Sequence, residues 1–501
     1  MQPNIFQKAT PMASIPFVAC ALFVAGCFSA STPDGDAGGS EVGGSQATGA
    51  GGAAGPGSGG AGGSSSVPVD PSCHLDDAAF CDAFTEPSLG GRAGALDDAK
   101  WGFSRMGFGF SNDYTFAFPK SPINVCGTWN TVEPGGPDSA FCDGEDGVAR
   151  WTEGFDDNTV FQYLSARVRQ PFDFAGRTGT LQWEADARTS GTHGWWVEVW
   201  FTEDPVPGAN FHAPDQLVSS ANAVGVVLGL NCGVDAANLG TAGAGKVGVS
   251  EILVVKDYAI ETAYYGAGFD NTRCVDSEQG VLNKFQFKLS EGRIEVFGTD
   301  AGGEEYVSLG EADLALPFSR ASVHFSHVHY NAHKAYVTSF QGYQWARIAF
   351  DGPQLATPRA YSVPDSLTIV GSGIPNDTYH IGYGVTDGVA FDFNDGPGVP
   401  KTLVLAGVDT SSAQAARLLL NTSRVSAGDT LRYRLNGNAW RDYQVPAFAG
   451  TWERQGFVIP VELADLVQGD NTLELGTNSV PDTMPPNSMH IANIDLEIDV
   501  P

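Results

Sequence analysis

Residues 194–203 read Gly-Trp-Trp-Val-Glu-Val-Trp-Phe-Thr-Glu, three indoles and two carboxylates within ten positions. Alternation of side chains along a strand puts Trp195, Val197, Val199 and Phe201 on one face and Trp196, Glu198, Trp200 and Thr202 on the other. The first row is an ordinary core face. The second brackets one carboxylate with two indoles. Flat aromatic faces stack on the C–H faces of sugar rings, and a carboxylate accepts hydrogen bonds from hydroxyls, so Trp196, Glu198 and Trp200 make a candidate saccharide platform. The competing reading is a sandwich packed with tryptophan on both sides, with Glu198 paired to an arginine.

Two further groupings carry chemistry. Glu198 and Glu203 are candidate catalytic carboxylates if the protein is a hydrolase, because a retaining glycosidase holds its two carboxyls about 5–5.5 Å apart. On a plain strand they leave toward opposite faces, so the pair requires a β-bulge. The second grouping is His324, His327 and His329, followed by Asn331 and His333. His327, His329 and Asn331 share a strand face at i, i+2 and i+4, which suits a ligand or a metal. No acidic or cysteine ligand accompanies them in the motif, so a polar ligand-binding patch is the stronger expectation. Nucleophile elbows, phosphate loops and dinucleotide fingerprints do not occur in a supporting context.

The elements around these residues read as strands. Leu181–Arg188 and Val323–His329 alternate at period two, and Lys284–Leu289 and Arg293–Phe297 flank the turn Ser290-Glu291-Gly292. Long helical periodicity is absent. Many alternating strands joined by Gly-rich turns predict an all-β chain of sandwich or jelly-roll type. A second strand-rich unit contains Ala416–Leu420, Leu431–Leu435, the turn pair Asn436-Gly437, and Ile491–Ile498. The expected organisation is a leader over 1–27, a linker over 28–67, and two β-sandwiches over 68–355 and 356–501.

Several segments resemble the concanavalin A-like lectin/glucanase superfamily. They are Phe80-Cys-Asp-Ala-Phe84 with Leu96-Asp97 and Trp101, then Asp173–Thr180, the hairpin at 284–297, and Ile348–Pro353. The resemblance implies a sandwich in which the first and last strands pair, bringing Asp82 near Asp351. Those two aspartates are then either a structural calcium site or two surface carboxylates; no other cofactor is implied. The strand at 194–203 is similar to the catalytic strand of glycoside hydrolase family sixteen, Glu-x-Asp-x-(x)-Glu. Trp200 stands where that family has its central aspartate, which implies a binding protein without robust catalysis. In the second unit, Leu-Asn-Gly at 435–437 and Gly-Asp-Asn at 469–471 resemble galactose-binding-like β-sandwich modules.

The N-terminus bears on location. Lys8 precedes an apolar run from Ala13 to Ala25, shorter than the roughly 20 residues a transmembrane helix needs. Such a run reads as a signal peptide. Val24-Ala-Gly-Cys27 resembles the lipobox of bacterial lipoproteins, which implies acylation at Cys27; the alternative is an ordinary secretory signal with an incidental cysteine. The Gly/Ala/Ser-rich stretch that follows is expected to stay disordered and to reach about 30–35 Å. Net charge is −31, which argues against nucleic acid as a partner. Six cysteines follow the leader, an even count that suits disulfides in an exported chain and allows fifteen connectivities. Short loops close at least entropic cost, which favours Cys73–Cys81, Cys126–Cys142 and Cys232–Cys274.

The expected protein is thus an exported lipoprotein at the outer membrane or cell surface, meeting the bilayer through Cys27 and a polysaccharide or surface glycan through its sandwiches. The alternatives are a glycoside hydrolase or polysaccharide lyase, and a structural or adhesive envelope protein.

Overall fold

The chain divides into two units, Met1–Ser66 and Val67–Pro501. The computed structural model describes residues 73–501 apart from 77, 85–96, 98, 111–139, 144–148, 154–158, 175–177, 189–193, 207–219, 230–231, 233–245, 267–272, 279–280, 291, 331–340, 364–366, 370–378, 382–384, 393–399, 424–429, 445–453 and 478–487. The leader, Cys27 and the Gly-rich linker lie outside the described residues. Among the described residues every regular element is a β-strand except a short 3-10 turn at Leu463–Asp465. No described helix is long and apolar enough to cross a membrane.

Two antiparallel sheets form the first sandwich. The back sheet runs Val307–Asp313, Arg293–Gly298, Asn283–Ser290, Gly179–Arg188, Gln341–Phe350, Ala149–Glu153 and Ala140–Asp143, with Phe80–Asp82 added against Gln341–Phe350. The predicted hairpin is present: Ser290 faces Arg293, and Gly292 at φ 93° supplies the left-handed residue of the turn. Phe80 pairs with Phe350, so the first strand does meet the last, as the superfamily resemblance implies.

The front sheet runs Ala259–Tyr265, Lys246–Lys256, Ala223–Gly229, Gly194–Thr202, Arg320–Tyr330, Thr159–Val168, Trp101–Phe110 and Tyr379–Ile381. Its core-facing row of Val197, Val199 and Phe201 packs with Phe325, Trp183, Trp345 and Phe287. Phe325 meets Trp345 edge-on at 4.9 Å between ring centres, a geometry favoured by the aromatic quadrupoles. The expected core face of the Trp-rich strand is therefore the actual one.

The second sandwich has its own apolar core, centred on Leu418, Leu420, Leu473, Ile494, Leu496 and Ile498. One sheet is built on Ser488–Asp499, with Ala415–Ser423 and Val385–Asp392 beside it; the other runs Lys401–Val408, Gly469–Thr477, Thr430–Leu435 and Arg441–Gln444. Asn436 and Gly437 adopt φ 54° and 72°, and the Asn438 amide donates to the Leu435 carbonyl at 2.9 Å. The Asn436 side chain donates to Asn471 Oδ1 at 2.7 Å, which also accepts from the Val467 amide at 2.9 Å. The two Asn-containing phrases thus pin neighbouring loops to each other.

Disulfides join Cys73 to Cys81 and Cys232 to Cys274. Two of the three near-neighbour pairings are therefore present; the third, Cys126–Cys142, involves Cys126, which lies outside the described residues.

Candidate functional site

The outer face of the front sheet is organised in cross-strand rows. Register aligns Gly102, Arg167, His324, Trp200 and Gly225 across five neighbouring strands. The next row holds Ser104, Ser165, Ser326, Glu198 and Val227. Glycine at each end of the first row has a steric reason. A Cβ on Gly225 would stand 2.3 Å from the Trp200 indole, and one on Gly102 would stand 3.2 Å from Arg167 Nη2. The indole and the guanidinium therefore lie over opposite ends of the row, with His324 between them.

The sequence reading expects this face to be open, and it is closed. Glu198, Trp200 and His324 are all 0% exposed. The Trp200 indole donates to Glu198 Oε2 at 2.6 Å, and Ser326 donates to Ser165 at 2.8 Å. Trp200 packs among Ala223, Val227, Leu253 and Val255, and at the arginine end the last strand supplies the partners. Ile494, Leu496 and Ile498 fill the second core, so alternation turns Asn493, Asp495 and Glu497 to the opposite side, where they too are buried. There Arg167 pairs with Glu497, and Arg169 Nη1 lies 3.5 Å from Asp495 and 3.4 Å from Glu497. Arg417 completes the group, 3.2 Å from Glu497 and 2.8 Å from Asp499. Burial lowers the Arg167 guanidinium from its ordinary range, with Glu497 acting in the opposite sense. The only sequence trace of this joint is complementary spacing: Arg167 and Arg169 at i, i+2, and Asp495 and Glu497 at i, i+2.

The structure separates the other expected site residues. Pairing of Gly194–Thr202 with both neighbours proceeds without a register shift. Glu203 lies just beyond that strand, in a bend, and accepts from the Asn222 side-chain amide at 2.6 Å. His327 pairs with Val197 and His329 with Trp195, positions one residue out of step with the Glu198 row. The six expected ligand positions therefore do not share one face. The side chains of Trp196, His327 and His329, and all of Asn331, lie outside the described residues.

Asp82 and Asp351 are likewise committed elsewhere. Asp82 accepts from the Trp101 indole at 2.8 Å and the Phe84 amide at 3.1 Å, and faces Lys100 at 3.3 Å. Asp351 accepts from the Thr180 amide at 2.5 Å. Their strands pair, but Asp82 stands opposite Ile348. Among the described residues no group of three or more His, Cys, Asp or Glu is placed to hold a metal.

A second polar cluster, not anticipated from sequence, gathers around the turn after Lys246–Lys256. Lys256 pairs with Ala259 around a two-residue turn in which Asp257 and Tyr258 adopt φ 50° and 66°. An aromatic residue rarely takes this left-handed conformation. Here the turn is held by the Tyr258 amide donating to the Ala221 carbonyl at 3.0 Å. The neighbouring Asp204 carboxylate accepts from the Ala221 amide at 3.2 Å and from Ser220 Oγ at 3.3 Å. Tyr258 is 37% exposed. Partial burial raises its hydroxyl pKa, with Asp204 and Glu203 adding to the rise. In the second sandwich, Tyr443 packs on Phe457 at 5.7 Å. Its hydroxyl is pushed up to about 12 by burial, then by Tyr258 and Asp204. The cluster thus presents phenol donors beside two carboxylate acceptors. The signal for it was weak, since a turn of Asp-Tyr without glycine is not a usual hairpin motif.

No protein-family profile and no curated protein matches the chain. Among solved structures it is similar to the VIP36 exoplasmic/lumenal domain in its Ca2+/Man3GlcNAc-bound form, at 12% identity and TM-score 0.25 over 40% of this chain and 80% of that one. It is also similar to lectin II from Ulex europaeus, at 12% identity and TM-score 0.26, covering 43% of this chain and 90% of that one. LamAcat from Zobellia galactanivorans is similar at 9% identity and TM-score 0.29, covering 56% of this chain and 98% of that one.

Proposed function

We propose that this protein is an exported carbohydrate-binding lipoprotein, anchored through Cys27, that contacts saccharide at the rim between its two sandwiches and does not hydrolyse it. The observation that carries the reading is Tyr258: a partly exposed aromatic ring held on a left-handed turn beside Glu203 and Asp204. A ring face for sugar C–H groups and carboxylates for hydroxyls are the two components a saccharide site needs. Tyr443 adds a second phenol, which gives the galactose-binding-like module a direct part in the site. Full burial of Glu198, whose carboxylate accepts from the Trp200 indole, supports binding over retaining hydrolysis through Glu198 and Glu203.

The test is retention of the full-length protein, purified in detergent, on a panel of immobilised polysaccharides, with reducing sugar assayed in the same wells. The expected result is retention on some glycans with no sugar released. Absence of retention across the panel favours a structural envelope role, and release of sugar favours a hydrolase.

A further inference from the structure

The closed face contains an unmet set of hydrogen-bonding atoms whose chemistry can be worked out. Thr202 Oγ1 donates its proton to the Asp204 carbonyl at 2.7 Å. The same oxygen lies 2.8 Å from His324 Nε2, so in that contact the imidazole is the donor and Nε2 carries the hydrogen. Burial, reinforced by Arg167, holds His324 well below its ordinary pKa, so the ring is neutral and Nδ1 is a bare acceptor. That Nδ1 is buried without a partner among the described residues. Its cross-strand neighbour Arg167 is 2% exposed and leaves Nε and Nη1 without partners as well. Buried polar atoms of this kind are uncommon and cost stability while unmet.

We propose that Arg167 and His324 form a seat for one hydroxyl group, supplied by a neutral saccharide that enters between the two sandwiches. A hydroxyl both donates and accepts, so it satisfies the bare Nδ1 and an arginine N–H together. A carboxylate or sulfate suits Arg167 but brings no proton for Nδ1, and an ammonium is repelled by Arg167. Trp200 lies in the same row, and the next row adds Glu198, Ser165 and Ser326 to the face. Entry requires the Arg167–Glu497 contact to yield, so closure lowers the apparent affinity by the fraction of molecules that are open. The inference rests on the carbohydrate reading above, but concerns a different site from the rim.

The test is 15N NMR of the full-length protein with labelled histidine, titrated with mannose-, glucose- and galactose-based oligosaccharides and with a uronic-acid oligosaccharide as anionic control. The expected result is that the His324 Nδ1 resonance moves from its free-acceptor position toward the hydrogen-bonded one with a neutral sugar only. His324→Gln, which keeps a donor for Thr202, should weaken that binding about 2- to 12-fold, the value of one neutral hydrogen bond. Glu497→Gln should strengthen it by loosening the closed state. Binding of sugar without movement of Nδ1 overturns the seat while leaving the carbohydrate reading intact. An Nδ1 already at the hydrogen-bonded position, and indifferent to sugar, means that internal water fills the seat and also overturns it. Binding of no sugar at all removes both readings.

Discussion

Arg167 donates to Glu497 across 330 residues of sequence, joining the front sheet of the first sandwich to the last strand of the second. Both side chains are buried, at 2% and 0% exposure. A buried ion pair of this kind is weak evidence for net stability, because taking two charges out of water is costly. Its effect is to make the two sandwiches interdependent. Arg167 meets its carboxylate across the joint, while Glu497 is shared with Arg417 of its own sandwich.

Removing one partner exposes that dependence. Glu497→Ala should destabilise the folded protein by about 3–5 kcal/mol, since Arg167, Arg169 and Arg417 lose a shared carboxylate. Replacing Arg167 and Glu497 together with methionine and leucine should recover most of that loss. Denaturant unfolding monitored by tryptophan fluorescence reads both; a loss below about 1 kcal/mol for Glu497→Ala means that water reaches the joint.

His324 gives the joint a pH dependence of definite sign. Its folded-state pKa lies well below the ordinary value, so below about pH 6.5 the unfolded chain takes a proton that the folded chain refuses. Stability from this group is complete above about pH 6.5 and falls by about 1.4 kcal/mol per pH unit on acidification below it. The cause is burial beside Arg167, with Trp200 on its other flank and Thr202 fixing Nε2. The informative quantity is the difference from His324→Gln, which isolates this group. The variant should show a shallower slope between about pH 6.5 and 5. Equal slopes mean that His324 already protonates in the folded state.

Membrane attachment is tested at Cys27. Cys27→Ser should leave the chain without acyl groups and move it from the detergent phase to the aqueous phase. A variant that still partitions with detergent points to an anchor elsewhere in the chain.

The sequence made some parts of this structure legible and concealed others. Period-two patterning located the strands at 181–188, 284–289 and 323–329, because one face of each buries apolar residues and alternation follows directly. The split of the 194–203 strand into a core row and a polar row was legible for the same reason. Solvent access was not. Trp200 and Glu198 have the composition of an open binding face, yet both are fully buried, with Trp200 packed among Ala223, Val227, Leu253 and Val255. Register sets His327 opposite Val197 and His329 opposite Trp195, out of step with Glu198, which no single strand reveals without its partner. Tyr258 was invisible because its significance depends on a left-handed turn and on residues from three other segments.

The most direct test of carbohydrate binding at the rim is a comparison of polysaccharide affinity among wild type, Tyr258→Ala and Glu198→Gln. Tyr258 is partly exposed, so its truncation should leave thermal stability nearly unchanged. Loss of a stacking ring worth about 0.5–1.5 kcal/mol should weaken retention about 2- to 12-fold. Glu198→Gln, on the closed face, should lose stability through its Trp200 contact while the folded fraction keeps most of the rim affinity. The contradictory result is Tyr258→Ala binding as wild type does while Glu198→Gln abolishes retention, which would place the principal saccharide contact on the front sheet and not at the rim.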